Sequence, residues 1–161
     1  MPEPRLAVPG ACCHASFLDA LREYHDEGLH TDLRPEVLAD PAEFRRWAAE
    51  AVAPTRREYW WVAGAHFLGR ARLNLRLTEE LTEFGGHIGY DIRPTARGRG
   101  HATALLRAVL SAARGAGIER ALLTCAPDNH ASRRVIERNG GAFADVSSAG
   151  RLRFWCPTAT S

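Results

Sequence analysis

The sequence contains no lysine, so all 21 of its basic residues are arginine, and its formal net charge is only +2. A charge this small argues against a protein that binds nucleic acid or an anionic membrane through bulk electrostatics. No stretch approaches the roughly 20 consecutive apolar residues that a membrane-spanning helix needs. The opening MPEPRLAVPG has no charged start followed by an apolar run, so we expect no secretory signal and no membrane partner.

The four cysteines lack the spacing of a zinc site or of a disulfide framework. Cys12 and Cys13 are adjacent, whereas Cys125 and Cys156 lie far apart in apolar surroundings. We therefore expect reduced thiols, a cytoplasmic location and no metal. Six histidines also lack metal-ligand spacing, and we interpret them as structural or solvent-facing: His14, His25, His30, His66, His101 and His130.

The length of 161 residues predicts a single domain over residues 1–161. Hydrophobic periodicity first indicates helices and then changes to the period of two that is typical of strands. The predicted order is helix (16–28), helix (40–54), a hairpin (58–64 and 67–77), strand (86–94), helix (99–115), strand (121–126), helix (129–141) and two strands (142–148 and 150–156). This order predicts an α/β protein with helices on the faces of a mixed sheet.

Alternation in FLGRARLNLRL gives the second hairpin strand one apolar face and one mostly basic face, with Arg70, Arg72 and Arg76 on the latter. We interpret the basic face as solvated or helix-covered, with an acidic acceptor or RNA surface as the alternative. Trp60 and Trp61 on the first hairpin strand are expected in the core.

The turn ARGRGHA lies between the strand 86–94 and the helix that follows it. The first amides of a helix have no partner within the helix and carry the positive end of its dipole. Gly98 and Gly100 leave those amides accessible, and Arg97 and Arg99 add positive charge, so the turn predicts an anion site. A dinucleotide fingerprint would need a third glycine where Thr103 stands, and a nucleotide-hydrolase loop would need a lysine. An RNA contact and a plain surface loop remain as alternatives.

Two motifs resemble the GCN5-related N-acetyltransferase (GNAT) superfamily. Arg97-x-x-Gly100-x-Ala102 matches the family's [QR]-x-x-G-x-[GA] signature, and LLTCAPDNHASRRVIERNGG resembles its strand, asparagine and final helix. The segments GGHIGYDIRP and RLRFWCP resemble a bacterial subgroup of predicted acetyltransferases. The resemblance implies a mostly antiparallel mixed sheet of about six to seven strands with a splayed parallel pair and about four helices.

The resemblance also implies which residues bind coenzyme A. The backbone from Arg97 to Ala102 would bind the pyrophosphate, with Thr103 as a further contact. The pantetheine arm would lie between the two splayed strands, whose unpaired backbone groups its amides can satisfy. The expected cofactor-binding residues are Tyr90, Ile92, Arg97, Gly98, Arg99, Gly100, His101, Ala102, Thr103, Asn129 and Ser132.

The catalytic groups are less evident. Many relatives supply a tyrosine that protonates the departing thiolate, but that position is Ile136 here. A thiolate is a tolerable leaving group because such thiols titrate near 8.5, so the acid is missing, supplied elsewhere or unnecessary. The candidate bases are His87, Glu83 and Asp91, which lie close to the strand before the turn.

We therefore expect an acetyl-CoA-dependent N-acetyltransferase that acts on a small-molecule or peptide primary amine by direct attack in a ternary complex. A non-catalytic module that binds CoA or acyl-CoA is the alternative, and RNA association is a third. The acceptor pocket is expected from residues 15–53 and 150–156. Homodimerisation through terminal strands is a further expectation, since relatives commonly pair in this way.

Overall fold

The computed structural model describes residues 1–159 and contains eight strands and six α-helices. They are, in chain order, β1 (Arg5–Ala7), α1 (His14–Asp26), α2 (Pro35–Leu38), α3 (Pro41–Glu50), β2 (Val52–Ala53), β3 (Arg56–Ala63), β4 (His66–Asn74), α4 (Glu79–Glu83), β5 (Ile88–Ile92), α5 (His101–Gly115), β6 (Arg120–Cys125), α6 (His130–Arg138), β7 (Ala142–Val146) and β8 (Leu152–Pro157).

The predicted α/β class and the order of the main elements are confirmed. The predicted sheet differs in detail, because the structure has two separate sheets in which all strand pairs are antiparallel. The sequence pattern did not predict β1, β2, α2 and α4. Each of these elements has only two to five residues, which is too short for a periodic hydrophobic pattern to develop.

The larger sheet has the order β1-β3-β4-β5, with β2 paired to β3, and the smaller sheet has the order β6-β8-β7. Strands β5 and β6, which flank α5 in sequence, therefore belong to different sheets. They meet at one end, where the backbone N–H of His87 donates to the carbonyl of Leu122 over 2.8 Å. In the reverse direction, the Leu122 N–H donates to Nδ1 of His87 over 2.8 Å. Beyond this junction the strands are not paired, so the expected splay is present.

Two hydrophobic clusters lie on opposite faces of the larger sheet. One packs α5 against β4, β5 and strands β6 and β8 of the smaller sheet, and it includes Leu105, Val109 and Phe154. The other packs α1 and α3 against β3 and β4 through a set of aromatic rings. In that set, the Phe17 ring centroid lies 4.6 Å from Trp60 and 5.1 Å from Trp47. These clusters fix α1 and α5 against the two faces of β4.

Trp60 and Trp61 are buried as predicted, and so are Cys125 and Cys156. All four cysteines are free thiols. Among residues 1–159, no helix combines the length and the apolar character that crossing a bilayer would require.

Candidate active site

The turn between β5 and α5 leaves the start of α5 open. Helices α3, α4 and α6 begin with side-chain caps from Asp40, Thr78 and Asn129, whereas no side chain caps α5 at Gly100. Gly100 has φ +81° and Gly98 has φ +77°, a conformation that L side chains rarely adopt, and both glycines face open space. The leading amides of α5 therefore have no partner in the helix and are available to an anion.

Carboxylates of α1 hold this turn in place. Glu23 pairs with the guanidinium of Arg93, and its other oxygen accepts from the N–H of Thr95 over 3.0 Å and from its hydroxyl over 2.8 Å. Burial raises the pKa of Glu23, but the Arg93 and Thr95 hydrogen bonds outweigh it and leave that pKa below its usual value. Glu27 binds Arg97 at 2.9 Å. The Arg97 side chain is thus turned to the C-terminal end of α1, where Glu27 is its ion-pair partner.

A groove of about 690 Å³ runs from this turn along β5 to α6. All but one of the expected cofactor-binding residues line it, and the exception is Arg99. Four further residues of α6 that the sequence reading did not include complete its wall: Ala131, Arg134, Val135 and Arg138. Arg134 and Arg138 bring two more positive charges to a groove that already has open amides at its end.

The middle of the groove is crossed by a hydrogen bond between β5 and α6. The hydroxyl of Tyr90 lies 3.0 Å from Oγ of Ser132. Burial raises the pKa of Tyr90 to about 12, so its phenol is protonated at neutral pH. Asn129 uses Oδ1 to accept from the Ser132 N–H over 3.1 Å, which leaves its amide nitrogen for other partners.

Ile136, at the position where many relatives have tyrosine, is fully buried among core residues. Its carbonyl accepts from the N–H of Gly141, and its side chain lies against the same glycine. Among the described residues that line the groove, Tyr90 is the only phenol.

A second cavity of about 790 Å³ adjoins the groove and shares Tyr90 and Asp91 with it. Residues from the expected segment 15–53 line it, but none from 150–156 does. The latter expectation is wrong for this cavity because β8 lies between β6 and β7 in the smaller sheet. The opposite wall comes from the larger sheet and from α4: Arg56, Glu58, Arg70, Ala71, Arg72, Asn74, Glu80, Leu81, Phe84 and Gly89 to Asp91.

The floor of this second cavity holds a buried ion pair. Glu58 on β3 pairs with Arg70 on β4, and their side chains are only 4% and 10% exposed. Arg72 lies 3.9 Å from the same carboxylate, and burial lowers its pKa. Of the two environments expected for the basic face, solvated or helix-covered, Arg70 has the covered one, since the α1–α3 layer and Glu58 enclose it, whereas the side chain of Arg72 is 48% exposed. Nη1 of Arg70 is buried with no hydrogen-bond partner among the described residues.

The three candidate bases lie in three different environments. His87 is buried at the junction of β5 and β6, outside both cavities, where its Nδ1 accepts a backbone hydrogen bond. Burial lowers its pKa, so its ring is neutral and structural in this geometry. Glu83 ends α4 and accepts from the Ser148 N–H over 2.7 Å, with Arg153 at 3.5 Å. Its hydrogen bonds with Ser148 lower its pKa.

Asp91 is the one candidate base that lines both cavities. Its Oδ2 lies 2.9 Å from Nε2 of His30, in the loop after α1, and its Oδ1 is buried without a hydrogen-bond partner among residues 1–159. Burial raises the pKa of the neighbouring Tyr24, and the Asp91 charge raises it further. The sequence reading did not single out His30, since 61 residues separate it from Asp91 and no local motif connects them.

Comparisons with known proteins agree with this geometry. The family model described as acetyltransferase (GNAT) domain matches residues 17–142, which include the turn, the groove and most of the second cavity. No curated protein sequence gives a significant match.

Several solved structures share the fold at low sequence identity. The microcin C7 self-immunity acetyltransferase MccE, solved with acetyl-CoA and AMP, is 13% identical, with a TM-score of 0.67 over 96% of this chain and 92% of that chain. Mycobacterium smegmatis RimJ, solved with CoA-disulfide, is 20% identical, with a TM-score of 0.66 over 96% and 81%. The aminoglycoside acetyltransferase AAC(6')-Ib, solved with coenzyme A and kanamycin, is 14% identical, with a TM-score of 0.65 over 96% and 95%.

Proposed function

The chain belongs to the GNAT acetyltransferase family, and from this premise we propose that it transfers an acetyl group from acetyl-CoA to a primary amine. The observation that carries the proposal is the uncapped start of α5, which opens into a groove beside a separate polar cavity. Two cavities that share Asp91 and Tyr90 suit a reaction in which donor and acceptor are bound together.

The groove fits the chemistry of coenzyme A. Its pyrophosphate would accept hydrogen bonds from the amides between Gly98 and Thr103, at the positive end of α5. Arg134 and Arg138 on α6 add charge at the same groove. The pantetheine arm would lie along β5, whose edge toward β6 has no strand partner beyond the junction at His87. Its amides can satisfy those backbone groups as an added strand does.

The reaction would consist of direct attack by a neutral amine on the thioester carbonyl. The chain positions the two reactants, which by itself contributes a large part of such accelerations. Of the three candidate bases, only Asp91 lines both cavities, so the proton of the amine would be taken up at Asp91 or at the group that it binds.

The phenol of Tyr90 lines both cavities, and we propose that it donates a hydrogen bond to the departing thiolate. Because its pKa of about 12 lies above that of a thiol, it would stabilise the thiolate as a donor without losing its proton. This role would not require a tyrosine at position 136, where the core encloses Ile136.

The proposal is tested by thermal unfolding with acetyl-CoA, CoA and NAD. A ligand at a hundred times its dissociation constant adds about 2.7 kcal/mol of stability, so acetyl-CoA and CoA should raise Tm clearly while NAD should not. Gly100→Glu places a carboxylate at the anion site and should abolish that shift. Gly117→Glu is the matched control, because Gly117 also has positive φ (+90°) and open space but follows the far end of α5.

Turnover is tested next, by CoA release over a broad panel of primary amines. Release with at least one amine is expected. Tight binding of acetyl-CoA with no release for any amine would support the second candidate, a module that only binds the cofactor. The observation that favours this second candidate is Ile136 in place of the common tyrosine. Absence of any shift with acetyl-CoA and CoA would refute both.

A further inference from the structure

The backbone holds His30 in a conformation that few residues other than glycine adopt. Its φ is +52°, and no other described residue besides glycine has positive φ. Such conformations cost stability and persist where the surroundings fix them, often at functional sites. The outlier lies at the edge of the second cavity, beside the point where the two cavities meet.

Three contacts orient the His30 side chain and its backbone. Nε2 of the ring lies 2.9 Å from Asp91 Oδ2. The Tyr24 ring lies edge-on to the imidazole, with centroids 4.8 Å apart and an interplanar angle of 89°. The ring of His25 bonds the His30 carbonyl over 3.0 Å. The ring is therefore positioned from α1 and β5 together, while its Nδ1 makes no hydrogen bond within residues 1–159.

Given the proposed function, we propose that His30 is the general base for the acceptor amine and that Asp91 is its positioning residue. A carboxylate that accepts from one imidazole nitrogen fixes the tautomer and leaves the other nitrogen as the proton acceptor. Asp91 bound to Nε2 leaves Nδ1 of His30 for this role, and it stabilises the imidazolium that forms.

The reaction begins with the acceptor amine in its ammonium form. The ammonium gives one proton to Nδ1 of His30, which passes this proton to solvent. The neutral nitrogen forms a bond to the thioester carbonyl carbon, and the carbon–sulfur bond breaks with its electron pair on sulfur. The second nitrogen proton passes to Nδ1 of His30, which is neutral again after releasing the first proton. The thiolate takes up a proton from solvent, so CoA leaves as the thiol.

Several charged and titratable groups surround His30 and would shape its pH dependence. Both carboxylates and guanidinium groups are present. They are Asp91 on β5, Tyr24 and His25 on α1, Asp32 in the same loop, Glu50 on α3, Arg56 and Glu58 on β3, Arg70 and Arg72 on β4 and Glu80 on α4.

The kinetic test compares two acceptor probes, ethylamine, which is protonated at neutral pH, and hydroxylamine, which is mostly neutral. His30→Asn is chosen because asparagine tolerates positive φ, and His30→Gln because it retains a donor near Nε2. Both should lower kcat/KM for ethylamine by about 10²- to 10⁴-fold and for hydroxylamine by less than about tenfold. His66→Asn, at an exposed remote site, should change neither.

The pH profile separates the two residues of the pair. Wild type should lose activity toward ethylamine as pH falls through the range where histidines titrate, and its activity should level off above that range. In both His30 variants only neutral ethylamine can react, so kcat/KM should rise by about tenfold per pH unit through that range and beyond it without levelling off, whereas Asp91→Asn should be slower but retain the plateau. If the His30 variants keep the plateau or the wild-type rate, or if only Asp91→Asn removes the plateau, the assignment of the base to His30 is wrong.

A second arm does not depend on any acceptor. Nitrogen-15 NMR of histidine-labelled protein at about pH 9, where imidazoles are neutral, should show His30 protonated at Nε2 alone, and Asp91→Asn should shift that signal. A neutral His30 ring that bears its proton on Nδ1 would overturn the inference. Failure of acetyl-CoA to raise Tm would overturn the proposed function instead, so the two failures are distinguishable.

Discussion

Replacement of Gly86 by alanine should force apart the junction at which β5 and β6 diverge. Gly86 has φ +63°, and a Cβ there would lie 2.3 Å from the carbonyl oxygen of Leu122, a backbone atom. Real Cβ atoms essentially never come closer than 3.0 Å, so this carbonyl would have to retreat by about 0.7 Å. It accepts the His87 N–H at the same point, and the two sheets are hydrogen-bonded there.

The expected cost combines two effects. The left-handed conformation costs alanine about 1–2 kcal/mol, and forced overpacking costs about 1–3 kcal/mol. Alanine also lowers the conformational entropy of the unfolded chain, which offsets about 0.4–1 kcal/mol of this destabilisation. We therefore expect a loss of about 2–4 kcal/mol in the free energy of unfolding, equivalent to a Tm lower by about 5–15 °C for a domain of this size.

Urea unfolding of Gly86→Ala measures this loss, with Gly89→Ala as the matched control. Gly89 lies three residues further along, in β5 itself, and a Cβ there would meet nothing within 4 Å. The control should change the free energy of unfolding by less than about 0.5 kcal/mol. Equal stabilities for the two variants would refute the view that close backbone contact at Gly86 holds the sheets together.

Two further changes test how side chains support the site. His87→Asn should retain an acceptor for the Leu122 N–H but remove titration. Burial lowers the pKa of His87 in the folded protein, so wild type should lose stability as pH falls from about 6.5 toward that lower pKa. The variant should lack this pH-dependent loss of stability, which urea unfolding at a series of pH values measures. Glu23→Gln should weaken the pairing with Arg93 and lower the free energy of unfolding by about 1–3 kcal/mol, measured by urea unfolding. The variant should also bind acetyl-CoA with lower affinity, measured by calorimetry. Since the pKa of Glu23 is held below its usual value of 4.5, its contribution should be present above about pH 4.5 and decline as pH falls below that value toward the lowered pKa. An unchanged acid dependence in the variant would contradict this account.

The fold class and the order of the long elements could be predicted because each long helix or strand repeats its hydrophobic pattern several times. The 15 residues of α5 place Leu105, Val109 and Ala113 on one buried face, which is visible in the sequence without any knowledge of neighbours. The division into two sheets could not be predicted. It depends on whether β5 and β6 pair with each other. The close approach of Gly86 to Leu122 marks the point where the two strands diverge, and it brings together residues that are far apart in the sequence.

The sequence by itself located the groove that we propose for the donor. The segment from β5 through the turn to α5 is continuous in the chain, and its chemistry belongs to backbone amides that glycines and a helix start expose. Local residues are sufficient to specify such a site, so the expected cofactor residues fell in one groove with the exception of Arg99.

Only the tertiary structure decided the second cavity, which we propose for the acceptor, and the ion pair that holds the turn. His30 and Asp91 are 61 residues apart, and Glu23 and Arg93 are 70 residues apart. Their contacts exist because α1 packs across β3 and β4 through an aromatic core, and no local pattern specifies the partner of a side chain at that distance. Packing also sets which carboxylate keeps one buried oxygen without a hydrogen-bond partner among residues 1–159, which histidine is structural and which one faces a cavity. These properties arise from packing, and for that reason the sequence left the catalytic groups undecided.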